Sequence, residues 1–317
     1  LLSRRVDVNA LSNGQSTLEV AVIARHKPEM RIEMVKLLLE NGANLMTSRG
    51  KPLVLRAAMK GYSDVSVLLI EAGAPLDGER DGGATALHYA AEYGYLDVIQ
   101  ALVAKGAELD VQDNNGRTPL HLAAEKGHAD IISALLEAKS GDWVDRKNKA
   151  NCTPLHDAVT NNKVDAARVL VEQGASITSQ TYSSYVNTTP LALAVRDRHA
   201  EIVRLFTEKG ATLDQKIHGD IVNTAIEGGD LPTIKALLTN RPEYATQAIG
   251  NAVQRSKFDV VQLLLELGAD ITDGDALRMS MYYNHGVEMA GILFNHNRGP
   301  HGPPRGQLCA GVCKCSK

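Results

Sequence analysis

The chain has 317 residues, of which 44% are hydrophobic and 22% are charged, and a formal net charge of −3. This composition is ordinary for a protein with a substantial buried core, and the acidic balance argues against the basic surface of a nucleic-acid-binding domain. Four cysteines are too few for a disulfide scaffold at this length. No apolar run reaches the ~18 residues of a membrane span.

From its first predicted helix onward, the chain repeats a pair of short helices. One alanine in the first helix recurs once in each pair, so it marks the repeat. These marker positions are Ala21, Ala57, Ala90, Ala123, Ala158, Ala194, Ala225 and Ala252, and we expect a degenerate ninth pair centred near Met281.

The fourth pair shows the local chemistry most clearly. Thr118-Pro119 begins a helix, since a threonine hydroxyl caps orphan amides and proline suits the first helical position. Leu120, Ala123 and Ala124 then share one apolar face at helical spacing. Gly127 predicts the end of this helix, because glycine adopts a positive φ without strain. The stripe Ile131, Ile132, Leu135 and Leu136 predicts a second helix.

Copies of this unit surround it in the sequence. The motif appears as Thr85-Ala86-Leu87-His88, Thr118-Pro119-Leu120-His121, Thr153-Pro154-Leu155-His156 and Thr189-Pro190-Leu191-Ala192. A period near 33 residues with the pattern T-P-L-H-x-A is typical of ankyrin repeats. The chain therefore resembles the ankyrin-repeat family.

The resemblance implies an all-α repeat solenoid of stacked helix-turn-helix pairs, with β-hairpin fingers in the regular repeats. We expect residues 1–298 to form about eight to nine repeats, of which the last are degenerate. A remnant of a preceding repeat, Val6-Asp7-Val8-Asn9, stands before the first one. We expect residues 299–317, rich in proline, glycine and cysteine, to be disordered.

The start of the chain suggests that the sequence is incomplete. It begins Leu1-Leu2-Ser3 without an initiator methionine or the apolar segment of a signal peptide. Together with the repeat remnant, this predicts a piece of a longer chain or a gene model that starts late.

Turn-forming segments separate the predicted pairs. Asn115-Gly116 is a hairpin turn signal, and similar segments occupy the equivalent places around Arg80 and Lys149. The finger before the sixth pair is longer and carries Tyr182 and Tyr185. Two interpretations stay open for it: a simple long turn with exposed tyrosines, or a binding loop in which tyrosine supplies contact area.

Two groups of potential metal ligands do not predict a metal site. His88, His121 and His156 stand one repeat apart, and packed helices 8–10 Å apart keep imidazoles too distant to share an ion. The resemblance implies instead that each hydrogen-bonds at a repeat junction. Cys309, Cys313 and Cys315 lack the spacing of a zinc finger, which favours a free tail.

No motif for nucleophilic or phosphate chemistry occurs, and the repeat pattern accounts for the acidic and basic residues. We therefore expect no enzyme, no cofactor and no small-molecule substrate. One alternative is an enzyme built on the irregular repeats at 212–298, which a deep apolar pocket with convergent polar groups would support.

By resemblance, the function is that of a scaffold or adaptor that binds another protein through a concave groove and the finger tips. The family's contact positions map onto Arg56, Met59, Lys60, Arg80, Tyr89, Glu92, Tyr93, Asn115, Arg117, Leu122, Glu125, Lys126, Asp157 and Asn161, and Tyr182 and Tyr185 extend the set. Because tyrosine and arginine dominate interface hot spots, Tyr89, Tyr93, Arg117 and Tyr182 come first.

A second interpretation is an ankyrin regulatory or targeting segment of a larger enzyme or signalling protein, whose catalytic domain is missing here. Free cysteines, the lack of a secretion signal and the habit of the family predict an intracellular protein, cytoplasmic or nuclear.

Overall fold

The computed structural model describes residues 7–24, 27–78, 82–139, 141–182, 187–214, 220–272, 274–282 and 285–297. Two compact units divide the chain, Leu1–Ala194 and Val195–Lys317, and their boundary falls inside a helix. Within the described ranges nearly all of the regular secondary structure is helical, so the predicted all-α fold is confirmed.

The first unit is built of five helix pairs and the start of a sixth. Its helices are α1 (Thr17–Ile23), α2 (Pro28–Glu40), α3 (Leu53–Lys60), α4 (Ser63–Glu71), α5 (Ala86–Tyr93), α6 (Leu96–Ala104), α7 (Pro119–Lys126), α8 (Ala129–Ala138), α9 (Pro154–Thr160), α10 (Val164–Glu172) and α11 (Pro190–Arg196). A 3-10 turn at Asp142–Asp145 precedes the fifth pair.

The helices of this unit form two layers. The first helices pack in chain order, α1 on α3, α3 on α5, α5 on α7 and α7 on α9. The second helices pack likewise, from α2 through α4, α6 and α8 to α10. The marker alanines lie between the layers and allow close approach; Ala57, Ala90, Ala123 and Ala158 are fully buried.

Local chemistry sets the helix ends as predicted. Thr118 is the N-cap of α7, with Pro119 in the first turn, and forms a capping box with His121. Gly127 is the C-cap in the left-handed conformation, with φ 89°. The same capping box recurs at Thr85 and Thr153.

The fingers are short turns, and described strands occur in two of them. β1 (Leu11–Ser12) pairs with β2 (Gln15–Ser16), and β3 (Thr181–Tyr182) pairs with β4 (Asn187–Thr188), both antiparallel. In the finger before α7, the Gly116 amide donates to the Asp113 carbonyl over 2.8 Å, and Gly116 has φ 74°. The predicted Asn-Gly turn is therefore present.

The second unit repeats the two-layer plan. Its helices are the end of α11, α12 (Ala200–Glu208), α13 (Ile221–Gly228), α14 (Leu231–Leu238), α15 (Pro242–Gln254), α16 (Phe258–Glu266), α17 (Asp275–Ser280) and α18 (Gly286–Asn297). α13, α15 and α17 pack in order, as do α12, α14, α16 and α18. The connection from α14 to α15, residues 239–241, is short, as the shortened period predicts.

The last pair, α17 and α18, lies around Met281, where the sequence predicts a degenerate ninth pair. Its first helix has only six residues. Met281 follows the end of α17 and is 69% exposed, whereas Ser280 is buried. Tyr282 and Val287 are exposed beside it, as a terminal repeat with a water-facing surface requires.

Candidate protein-binding face

The three motif histidines connect successive repeats. The Thr118 amide donates to His121 Nδ1 over 3.1 Å, and His121 Nε2 lies 3.1 Å from the Cys152 carbonyl oxygen of the next finger. His88 and His156 make the equivalent contacts to the carbonyls of Arg117 and Thr188, at 3.0 and 3.3 Å. The predicted role at the repeat junctions is confirmed.

These contacts determine the protonation of the imidazoles. A carbonyl oxygen only accepts hydrogen bonds, so Nε2 carries the proton while Nδ1 accepts from the threonine amide. Burial lowers the pKa of His121 and of His156 from 6.5 to about 4. Both are therefore neutral at pH 7, with both ring nitrogens engaged in the scaffold.

Most predicted contact residues lie on one side of the first helices. α3 carries Arg56, Met59 and Lys60, and α5 carries Tyr89, Glu92 and Tyr93. On α7 lie Glu125 and Lys126, and Asp157 and Asn161 lie on and just after α9. We call the surface of these ten residues the inner face. Because their helices pack in order, it is one continuous row.

Tyrosines occupy the middle of the inner face. The rings of Tyr89 and Tyr93 stack with centroids 6.3 Å apart. Tyr95 extends the cluster, with its ring 5.9 Å from that of Tyr93. Tyr93 is 50% exposed although the rings of Tyr89 and Tyr95 pack against it. The cluster thus forms a packed aromatic surface that is partly open to solvent.

Tyr95 was not among the predicted contact residues. It lies beyond Gly94, whose left-handed conformation, φ 83°, ends α5. Its hydroxyl packs so close to Gly61 that a Cβ there would be 2.7 Å away. The pattern Tyr93-Gly94-Tyr95 is the sequence signal for this contact, because a glycine C-cap turns the chain back on the helix.

Arg117 is held by carboxylates at the base of its finger. Its guanidinium lies 3.0 Å from Asp113 and 3.6 Å from Glu125. Glu125 also pairs with Lys126 at 2.7 Å. Arg117 therefore orders the finger next to the inner face, and its side chain remains 35% exposed.

Asp157 sits in an unfavourable place for a charged carboxylate. Burial, and secondly the Glu125 charge, raise its pKa from 3.8 to about 7, while Arg117 opposes this rise. Such a group titrates at neutral pH and is a candidate for contact with a partner.

Leu122 follows the motif histidine on α7, as Asp157 does on α9. It is only 3% exposed, so it offers a partner almost no surface. Asn115 is exposed at its finger tip. Arg80 and Tyr185 lie outside the described residues, as does the side chain of Tyr182, although its backbone belongs to β3.

A cavity of about 380 Å³ adjoins the start of the inner face, between the first two fingers. Arg49 and Lys51 line it from the second finger, and Arg56 and Met59 line it from α3. Gln15 contributes an amide from β2. Of these, Gln15, Arg49 and Lys51 were not predicted, because turn composition alone does not show which two fingers enclose a space.

Glu19 forms the inner end of this cavity and is 3% exposed. It stands where later repeats have the motif histidine. Its carboxylate forms an ion pair with Arg56 and accepts a hydrogen bond from the Ser48 amide at 3.1 Å. The buried charge is thus neutralised within the scaffold.

The second unit has two larger cavities. One, about 660 Å³, lies between α12 and α14 and is lined by Arg204, Lys235 and Arg241 with Glu201 and Glu208. The other, about 770 Å³, is lined among others by Asp214, Asp220, Glu243 and Tyr244. Charged side chains line both cavities.

In the part of the chain that the structure describes, no group of three or more His, Cys, Asp or Glu side chains is placed to hold one metal ion. None of its helices combines the length and apolar character needed to cross a bilayer.

Paired short helices, packed layer on layer and joined by finger turns, define a helical repeat protein. A family model described as ankyrin repeats (3 copies) matches residues 27–113 and 105–181. The chain belongs to the ankyrin-repeat family. No curated protein matches it. Ankyrin repeats generally act as protein–protein interaction modules and are typically non-catalytic.

Proposed function

We propose that this chain is a scaffold or adaptor that binds a partner protein through the inner face, with the tyrosine cluster at the centre of the contact. The observation that carries the proposal is the stacking of Tyr89 on Tyr93, which leaves Tyr93 half exposed.

Physical chemistry favours this centre over the flanking positions. Tyrosine gives a large contact area with little loss of side-chain freedom, and the three packed rings are already ordered before binding. Hot spots concentrate in such aromatic anchors near the middle of an interface. Lys60 and Lys126 are exposed on α3 and α7, the two helices that pack against α5, and would supply a polar rim.

The test is affinity capture from an extract of the source cells, followed by mass spectrometry. The baits are the wild-type chain and a Tyr89→Ala, Tyr93→Ala variant. The matched control is Tyr282→Ala, which removes an even more exposed tyrosine (80%, against 50% for Tyr93) from the end of the second unit, far along the chain from the inner face. Thermal melting of each bait establishes that it is folded.

A protein captured by the wild type and by Tyr282→Ala, and at least about tenfold depleted on the double variant, supports the proposal; this corresponds to 1.4 kcal/mol or more of binding energy. Equal capture by all three folded baits contradicts it, because the inner-face tyrosines would then contribute nothing to recognition.

A further inference from the structure

We infer that the cavity between the first two fingers binds an acidic side chain, and that the partner presents it on an extended segment whose apolar residue covers the tyrosine cluster. This deepens the proposed function by specifying the chemistry of the partner, and it rests on that function.

The charges that line the cavity determine the class of ligand. Among the lining residues that the structure describes, Arg49, Lys51 and Arg56 are cationic and Glu19 is the carboxylate. Glu19 is already satisfied by Arg56 and by the Ser48 amide. Arg49 is exposed and has no ion-pair partner among the residues the structure describes. An incoming carboxylate would therefore find a guanidinium that is available for charge-assisted hydrogen bonds.

The surroundings of the cavity favour a peptide over a polyanion. Pro52, Leu55 and Met59 give one wall an apolar character, which suits the methylene groups of a glutamate. Further along the inner face the positive charge no longer accumulates, because Arg117 and Lys126 are paired with Glu125 and Glu92 adds a carboxylate on α5. A nucleic acid that followed the row would meet these glutamates, whereas a segment with one or two acidic residues at one end would not.

The spacing of the helices sets the spacing in the ligand. Arg56 and Tyr89 hold equivalent positions on α3 and α5, which pack directly. Packed helices lie roughly 8–10 Å apart, and an extended chain rises about 3.3 Å per residue. The acidic residue and the apolar residue should therefore stand about three positions apart.

The experiment selects peptides without assuming a partner. The immobilised full chain is panned against phage-displayed random dodecapeptides, and the recovered sequences are compared with the starting library. We expect enrichment of Asp and Glu, with an apolar or aromatic residue about three positions away. Selected peptides, labelled with fluorescein, are then titrated by fluorescence anisotropy.

Arg49 provides the matched variants, because its side chain leaves the turn hydrogen bonds of Thr47 and Gly50 untouched. Arg49→Gln should weaken the selected peptides about tenfold, whereas Lys105→Gln, at an exposed lysine that ends α6, should not. Arg49→Glu, panned afresh, should enrich Lys and Arg. Binding of the wild type should weaken at about 0.5 M salt.

The inference is overturned if wild-type selection shows no acidic enrichment, if Arg49→Gln binds as the wild type does, or if a single-stranded oligonucleotide competes as well as the peptides. If the peptides lack acidic residues but lose affinity for the Tyr89→Ala, Tyr93→Ala variant, the proposed function stands and the acidic specificity fails. If no peptide is recovered, the acidic specificity is contradicted while capture from cell extract still tests the proposed function.

Discussion

Glu19 on α1 forms an ion pair with Arg56 on α3, across the junction where the later repeats use a histidine. In the later repeats, Nε2 of that histidine contacts a carbonyl of the next finger, as His88 does with Arg117. Glu19 instead accepts a hydrogen bond from the Ser48 amide in the next finger. The first junction therefore occupies the same place in the repeat as the later ones but has the opposite polarity. A carboxylate that accepts a hydrogen bond stands where the later repeats have an imidazole N–H that donates one.

Removal of Arg56 should therefore destabilise the start of the first unit. An uncompensated buried carboxylate costs 3–5 kcal/mol in general, but the Arg56 side chain is 37% exposed. We expect Arg56→Ala to cost about 2 kcal/mol in thermal or urea unfolding, once this solvent access is discounted. The double variant Glu19→Gln, Arg56→Ala should lose less than the sum of the single variants. Strict additivity of the two would contradict the pairing.

Gly127 should not tolerate a β-branched residue. It ends α7 with φ 89°, and a Cβ added there would lie 2.8 Å from Cδ of Lys163. We expect Gly127→Val to cost about 1–2 kcal/mol, measured as a lower melting temperature. Gly291→Val, at a helical glycine with open space around it, is the control and should cost less. An unchanged melting temperature for Gly127→Val would refute the helix register.

Asp157 should make stability depend on pH around neutrality. Its pKa is raised to about 7 in the folded chain, against an ordinary value of 3.8. Between these values the folded state binds a proton that the unfolded state lacks, so the free energy of unfolding falls as pH rises. Asp157→Asn should be more stable than the wild type at pH 8 by about 1–3 kcal/mol and equal to it near pH 4. A gain of the same size at both pH values would contradict this origin.

The buried histidines should make stability fall as the pH falls, which is opposite to the effect of Asp157. The pKa values of His121 and His156 fall to about 4 when folded, below the ordinary 6.5. The unfolded state therefore binds more protons in this interval, and stability is lost as pH falls from about 6.5 to about 4. His121→Gln should lower the melting temperature at pH 7 but lose less on acidification. A variant that parallels the wild type through this interval would exclude His121 as a source of the acid sensitivity.

Much of the scaffold could be predicted from local sequence. The Thr118-Pro119 start and the Gly127 end of α7 depend on chemistry within one helical turn, so the sequence predicts them directly. The buried marker alanines follow from the repeat period in the same way. A helix pair is also present around Met281, where the sequence predicts a degenerate one.

The candidate site was only partly predictable. Tyr89 and Tyr93 follow from the family pattern, but the contact of Tyr95 with Tyr93 depends on how Gly94 reverses the chain. Leu122 has the right register for contact and yet is buried. Exposure at a fixed repeat position depends on the neighbouring side chains, which differ from repeat to repeat.

The sequence by itself determined the family, the helix pairs and their caps, since each follows from a repeated motif and from interactions within a few residues. The junction role of His88, His121 and His156 was implied by the resemblance to the family. Only the tertiary structure decided that Glu19 pairs with Arg56, that Tyr95 completes the tyrosine cluster, and that the first two fingers enclose a cationic cavity. These contacts join residues on different helices or on either side of a turn. Their geometry is set by the packing distance between repeats, which no local pattern encodes.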